Sequence, residues 1–442
     1  MKLTKIIYIL TGVFVTFFAK PAKSQELLTL EEAIRIGLEN NYAIRIARQD
    51  EVIAENNVKY GRGFLLPDVN LSASRDWSTE DSRRDFQDRE STDVSGARSA
   101  AFGSAVNLNW TIFDGFGMFI DYDRLKTAKL GQELVTKTTV ENTVAQITNT
   151  YYEVVRQRQK IRSLQEALAI SEERVNITQA QYEVGVTAKV EILTARVDYN
   201  ADKSALLLQQ EALHNAKINL NEILARSPEI NFTVADTILV DKTISPAAEN
   251  MSIAQNPVLL QAQVNRELAQ LEYRSIRADR LPTLGVNTSY VYNTSTADPT
   301  SPFAPIAFRT RGLYYGLTLN WPILNGFTLR RQWQNAKVNM SKTDLAYQQL
   351  QNQLNADAAR ALSRYQNRIL LLQLEEDNLK LADQNTEIAL ERYRLGLLTA
   401  IELREAQRSQ LLAENRFIDI LYEAKAAETE LRRLNSTIVL DN

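Results

Sequence analysis

The chain has 442 residues, 51 basic against 54 acidic side chains, a formal net charge of −3, no cysteine and one histidine, His214. That balance lacks the basic surface that phosphate backbones demand, so no nucleic-acid partner is expected. The missing cysteines remove disulfides, thiolate nucleophiles, iron–sulfur clusters and a lipidated N-terminus, and a lone histidine leaves no histidine-rich metal site or triad. No cofactor or metal is expected. With only 15 glycines, the chain should consist mainly of long regular elements.

Residues 1–24 read as a signal peptide. Lys2 and Lys5 precede an apolar run from Ile6 to Ala19, and Ala22-Lys23-Ser24 supplies a small-x-small cleavage site. Removing this segment takes away four lysines and lowers the net charge from −3 to −7. No later stretch offers about 20 continuous apolar residues, so any membrane crossing must be made by strands.

The remainder repeats itself once. Leu66-Pro67 with Val69, Leu71 and Ala73 is echoed by Leu281-Pro282 with Leu284, Val286 and Thr288. Leu108-Asn109-Trp110 is echoed by Leu319-Asn320-Trp321, and Tyr182-Glu183-Val184-Gly185 by Tyr393-Arg394-Leu395-Gly396. The last two pairs are each 211 residues apart and the first 215, in one order. The expected organisation is a first repeat over 25–230, a linker over 231–250, a second repeat over 251–435 and a tail over 436–442.

Each repeat reads helix, strand, strand, very long helix, tight turn, helix. Thr29 and Glu32 have capping-box spacing and open a helix expected to run to about residue 61; Pro257 opens its counterpart, to about 280. In the strands, Val69, Leu71, Ala73 and Trp77 alternate with Asn70, Ser72, Ser74 and Asp76, and Arg75 falls on the otherwise apolar face. Val106, Leu108, Trp110 and Ile112 share a second such face; Tyr290 and Tyr292 lie on a third strand; Leu317, Leu319 and Trp321 oppose Gly316, Thr318 and Asn320 on a fourth. Trp77, Trp110, Tyr292 and Trp321 are the candidate membrane-interface aromatics. Residues 78–100 and 293–311 are polar or proline-rich and are expected to be exposed loops. From Met118 to Glu183 and from Phe327 to Leu395 no proline interrupts, which at about 1.5 Å per residue gives helices of roughly 100 Å. Such helices need partners to bury against. The helices returning from the turns are expected over 189–225 and 401–434.

Four strands cannot close a barrel in lipid, since small barrels begin at about eight strands. Closure therefore requires several chains, and three would give 12 strands. At this point the chain resembles the TolC-like outer-membrane factor family, on Leu30-Glu31-Glu32-Ala33-Ile34 before Asn40-Asn41, both Leu-Pro strand openings, both Leu-Asn-Trp segments and both Tyr-x-x-Gly turns. The resemblance implies an α+β membrane duct: a homotrimer with a 12-stranded transmembrane β-barrel continuous with a long α-helical periplasmic barrel, four strands coming from each duplicated chain. It implies the outer membrane of a Gram-negative bacterium, contact with outer-membrane lipid, and docking to a periplasmic adaptor protein that links the duct to an inner-membrane efflux or secretion transporter. The duct would pass drugs, small molecules or polypeptides to the exterior.

By the same resemblance, Glu191, Glu402, Glu405 and Tyr393 match the pore aperture at the helical tips, and Gly185, Gly396, Val186 and Leu398 the tip turns that meet the adaptor. Leu398 stands where the family's type member, though not the family pattern as a whole, has a tip arginine, a departure that leaves the arginine-centred closing link open for this chain. The three acids also open returning helices, where the positive dipole end favours carboxylates, and Thr399 with Glu402 has capping-box spacing. Capping and pore lining are compatible. The alternative is a periplasmic structural or adhesive coiled-coil protein without a channel. Paired acids such as Asp76 and Glu80 occur, but no nucleophile, base and oxyanion donor combine into a motif, so no enzyme activity is expected.

Overall fold

The computed structural model describes residues 26–242, 253–298 and 306–438; the signal peptide, the prolines at 299, 302 and 305, residues 243–250 of the inter-repeat linker and the last four residues lie outside them. In chain order the elements are β1 (Glu26–Leu27), α1 (Leu30–Asn40), α2 (Tyr42–Gly61), β2 (Asp68–Arg84), β3 (Thr92–Phe113), α3 (Gly117–Glu183), α4 (Lys189–Ile223), β4 (Phe232–Thr233), α5 (Pro257–Ala278), β5 (Thr283–Ala297), β6 (Ala307–Asn320), α6 (Thr328–Arg394) and α7 (Ala400–Leu434). Both long helices have 67 residues, roughly 100 Å each, and both returning helices have 35.

The described residues fall into two compact units, each drawing on both halves of the chain: 26–41, 144–242 and 365–429 in one, 42–143, 253–298, 306–364 and 430–438 in the other. In the first unit β1 pairs in parallel with β4 through Glu26–Phe232 and Leu27–Thr233. Tyr151 of α3 donates its hydroxyl to the Leu28 carbonyl at 3.1 Å, and the backbone N–H of Ala235 donates to the same hydroxyl at 3.4 Å. Leu28, Ile147, Val154, Val155, Leu220, Leu224 and Phe232 are fully buried around this joint. Burying a side chain of this size contributes about 1.5–3 kcal/mol. The expected entering helix is broken: Asn41 leaves helical geometry between α1 and α2, and its amide donates to the Ile223 carbonyl at 2.8 Å, a partner helix continuity would forgo. Thr29 caps α1 as the spacing suggested, its hydroxyl accepting from Glu32 N–H at 3.2 Å.

The second unit holds one antiparallel sheet in the order β2-β3-β5-β6. Its strands are longer than the apolar alternation indicated, because most of residues 78–100 and both ends of 293–311 pair rather than loop. Polar side chains there bond across the pair: Ser78 to Ser99 hydroxyl at 2.8 Å, and Asp81 accepting from Gly96 N–H at 2.6 Å. Composition had signalled exposure, which the backbone satisfies equally well in a strand.

Strand passes to helix at Gly115-Phe116 and again at Gly326-Phe327, and all four residues have positive φ, 72°, 71°, 60° and 62°. At the first junction Asp114 caps α3, one carboxylate oxygen accepting from Met118 N–H at 2.7 Å. A Cβ on Gly115 would stand 2.5 Å from the Ala278 carbonyl oxygen and 2.8 Å from Leu281 Cβ, whereas a Cβ on Gly326 meets nothing within 4 Å. Gly326→Ala should cost only the left-handed backbone penalty, about 1–2 kcal/mol. Gly115→Ala adds a backbone clash and should cost about 3 kcal/mol or more. Denaturation midpoints of the two variants in detergent check the order; equal shifts would contradict the packing seen at Gly115.

Candidate functional site

In the sheet, register places side chains of one parity on a common face across all four strands. One face carries Val69, Leu71, Ala73, Arg75 and Trp77 of β2, Trp110, Leu108, Val106 and Phe102 of β3, Val286, Tyr290 and Tyr292 of β5, and Leu317, Tyr315, Leu313, Arg311 and Arg309 of β6. The other face carries Asn70, Ser72, Asn107, Asn287, Ser289, Gly316 and Thr318, and its polar groups join across strands: Ser289 donates to Asn107 at 2.8 Å, Asn107 to Asn70 at 3.2 Å, and Asn287 to Thr318 at 2.9 Å. The apolar face is not covered by other described residues, with Leu71 75%, Tyr315 81% and Leu317 74% exposed. Trp110 donates its indole N–H to the Leu65 carbonyl at 3.0 Å near the helix end of the sheet, and Trp321 directly follows β6. Trp77 and Tyr292 sit within their strands rather than at the ends, because β2 and β5 run on past them.

At the helical tips of the other unit, both turns close in the same way. Gly185 (φ 77°) donates to the Tyr182 carbonyl at 2.9 Å and Val186 to Gln181 at 2.8 Å; Gly396 (φ 71°) donates to Tyr393 at 3.0 Å and Leu397 to Arg392 at 2.8 Å. This is the Schellman pattern, which satisfies the last helical carbonyls and needs a residue that tolerates positive φ. Val186 is 74% exposed, and Leu398 packs beside Tyr393 and Leu403. Glu402 and Thr399 form a reciprocal cap: Glu402 N–H donates to the Thr399 hydroxyl at 3.3 Å, and the Glu402 carboxylate accepts from Thr399 N–H at 2.9 Å and from its hydroxyl at 2.7 Å. These bonds, the backbone one first, hold the Glu402 carboxyl below its ordinary 4.5. The cap is therefore complete above that value and is lost as pH falls through the lower folded value. The carboxylates of Glu191 and Glu405 take no hydrogen bond or ion pair among the described residues, although both lie near the start of their helices.

The model for the family described as "Outer membrane efflux protein" matches residues 33–226 and 250–436. The chain belongs to that family. It is 22% identical over 346 residues to the outer membrane protein TolC of Salmonella enteritidis, covering 77% of this chain and 67% of that protein. It is 25% identical over 352 residues to protein CyaE of Bordetella pertussis, covering 77% and 70%. In fold it is similar to the outer-membrane channel OprN, with a TM-score of 0.75 and 16% identity, covering 92% and 90%. As a member of the outer membrane efflux protein family it is an efflux or secretion exit duct and not an enzyme, which rejects the coiled-coil protein without a channel.

In this duct protein the tips contain a polar cluster that single motifs did not reveal. Arg174 of α3, only 2% exposed, pairs with Asp198 of α4. Arg404 of α7 binds Asp202 of α4 with both terminal nitrogens, at 2.7 and 2.9 Å, and Ser171 donates to the same carboxylate. Tyr393 and Thr178 share a hydrogen bond of 2.8 Å, and Arg394 pairs with Glu173. Arg404–Asp202, Tyr393–Thr178 and Arg394–Glu173 thus tie the hairpin α6–α7 to the hairpin α3–α4 near the tips, and Lys160–Asp419 at 2.7 Å does so farther along. None of Arg174, Asp198, Asp202 and Arg404 has a like residue 211 positions away, so departure from the repeat was the only sequence signal available. Arg404→Ala would leave Asp202, 7% exposed, without its cation, and should cost about 3 kcal/mol or more. Tyr393→Phe removes one bond while Thr178 keeps its bond to the Arg174 carbonyl at 2.7 Å, so its cost should be about 1 kcal/mol. Urea titration of both variants checks the ranking.

Proposed function

We propose that three copies assemble into one through-passage in the outer membrane, 12 strands closing a barrel whose apolar face meets lipid and whose Asn-Ser-Thr face lines the lumen. The observation that carries this reading is the sheet itself, apolar on one face and hydrogen-bonded polar on the other, with β2 and β6 at its two edges. From Trp110 to Phe102 this face extends eight residue steps, about 26 Å along the strand, close to the roughly 25 Å band of outer-membrane barrels, with Arg75, Arg309 and Arg311 in the two rows at its far end. The long helices then wall the periplasmic part of the passage. Each of the two repeats supplies two strands and one helical hairpin.

At the tips we assign Glu191, Glu402 and Glu405 to the aperture and the turns around Gly185, Val186, Gly396 and Leu398 to contact with a periplasmic adaptor, which would connect the duct to an inner-membrane transporter. The unpaired carboxylates of Glu191 and Glu405 support this, since an acid that neutralises no neighbour remains available to passing cations. Glu402 caps α7 and presents its charge at the same level of the helix. Although Leu398 stands where the family's type member has a tip arginine, Arg394 and Arg404 supply arginine contacts between the two hairpins, so the aperture has a means of being held. The family is described by efflux, and passage of drugs, small molecules or polypeptides is the corresponding role proposed for this chain.

End-on images of detergent-purified protein should show threefold rings with a central lumen; isolated rods would reject the assembly. In planar-bilayer recordings Glu402→Gln with Glu405→Gln should weaken cation over anion preference, and unchanged reversal potentials would remove both acids from the aperture.

A further inference from the structure

The four strands contain six arginines and no lysine, and all six lie in the half of the sheet farther from the helices: Arg75, Arg83, Arg84, Arg98, Arg309 and Arg311. Strand residues 68–72, 105–113, 283–291 and 312–320, which pair row by row as the helix-proximal part of the sheet, include none. Register puts Arg75, Arg98, Arg309 and Arg311 on the apolar face, while the nearby carboxylates Asp76 and Glu80 fall on the opposite one. Arg75 and Arg309 share a row with Phe102 and Thr294, and Arg311 shares the next row with Tyr292. All four arginines are exposed. Arg75 lies 5.2 Å from the Trp77 ring centroid, and among the described residues none of the four forms an ion pair. Asp298, just past β5, already accepts from the Arg98 backbone N–H at 3.0 Å, and Asp81 from Gly96 and Ser95.

We infer that Arg75, Arg309 and Arg311 form a binding site for the phosphate groups of a phosphorylated glycolipid in the outer leaflet. The inference rests on the reading above that this face meets lipid with the strand hairpins outermost. An arginine on a lipid-facing strand is costly at mid-membrane and nearly neutral at the headgroup level, which fixes the depth of this row. A guanidinium without a carboxylate partner presents a planar fork of donors suited to phosphate oxygens. Arg75 stands on one sheet edge and Arg309 and Arg311 on the other, three inter-strand spacings or about 14 Å apart. Closure of β6 of one copy against β2 of the next would bring the two groups onto neighbouring strands. The site is then completed by assembly and repeated at each junction. The charge-free opposite end of the same face gives the inner leaflet no equivalent.

The test uses the full chain, reconstituted in vesicles with equal mole fractions of diphosphorylated or dephosphorylated lipid A, then re-extracted and weighed by native mass spectrometry. Wild type should retain the diphosphorylated lipid and not the dephosphorylated one. Arg75→Gln with Arg309→Gln and Arg311→Gln should lower that retention at least about tenfold, each arginine near a headgroup being worth roughly fivefold in affinity. Equal retention by wild type and triple variant, both conducting in bilayers, would overturn this site and leave the duct reading standing. Displacement of lipid A by millimolar inorganic phosphate would likewise overturn it, by showing a site for the free anion. A wild-type chain that never enters vesicles would overturn the duct reading and this inference together.

Discussion

A backbone N–H or C=O in hydrocarbon must be paired within the protein, because no water is there to pair it. The sheet β2-β3-β5-β6 satisfies this rule for its two inner strands and leaves one edge each of β2 and β6 without a neighbouring strand among the described residues. Its side chains impose the same demand from a second direction. Leu71, Tyr315 and Leu317 are largely exposed on one face, and Asn70, Asn107, Asn287 and Ser289 are cross-linked by hydrogen bonds on the other. A water-soluble sheet would turn that apolar face inward against a second layer. In the proposed trimer, lipid on one side, water on the other and a further strand at each edge would meet both demands at once.

The helical tips obey a different economy. Their turns are fixed locally, by glycines at positive φ and by the reciprocal bonds of Thr399 and Glu402. At the tips polar pairs join the hairpins, Arg404 on Asp202, Arg394 on Glu173 and Tyr393 on Thr178, beside apolar packing of Ile177 against Tyr393 and Leu403. Apolar burial resists separation of any kind, whereas a few directional bonds hold one register and release once their partners are replaced. The tips combine both kinds of contact, the directional bonds lying beside a small apolar cluster of Tyr393, Leu403, Ala389 and Ala406.

Several features were legible from residue order alone. Proline-free stretches defined both 67-residue helices nearly to the residue, since helix length depends on the local absence of breakers. Thr29 and Gly185 and Gly396 disclosed a cap and two turns, because capping is read over three or four neighbouring residues. The break at Asn41 was not legible, as its amide is satisfied by Ile223, 182 residues away. The reach of β2 and β3 was missed because the polar side chains of 78–100 conceal a backbone that pairs regardless of them.

The sequence by itself determined the duplication, the helical lengths, the turn glycines and the two-residue alternation within each strand, all of which are local properties of a chain with a 3.6- or 2-residue period. Only the tertiary structure decided which face of one strand continues which face of the next, and hence that Arg75, Arg309 and Arg311 share the apolar side while Asp76 and Glu80 do not. It likewise decided that Asp202 meets Arg404, 202 positions along the chain, a separation that no periodicity spans. Register and long-range ion pairing depend on how separate segments are brought together, and alternation within one segment carries no record of its partner.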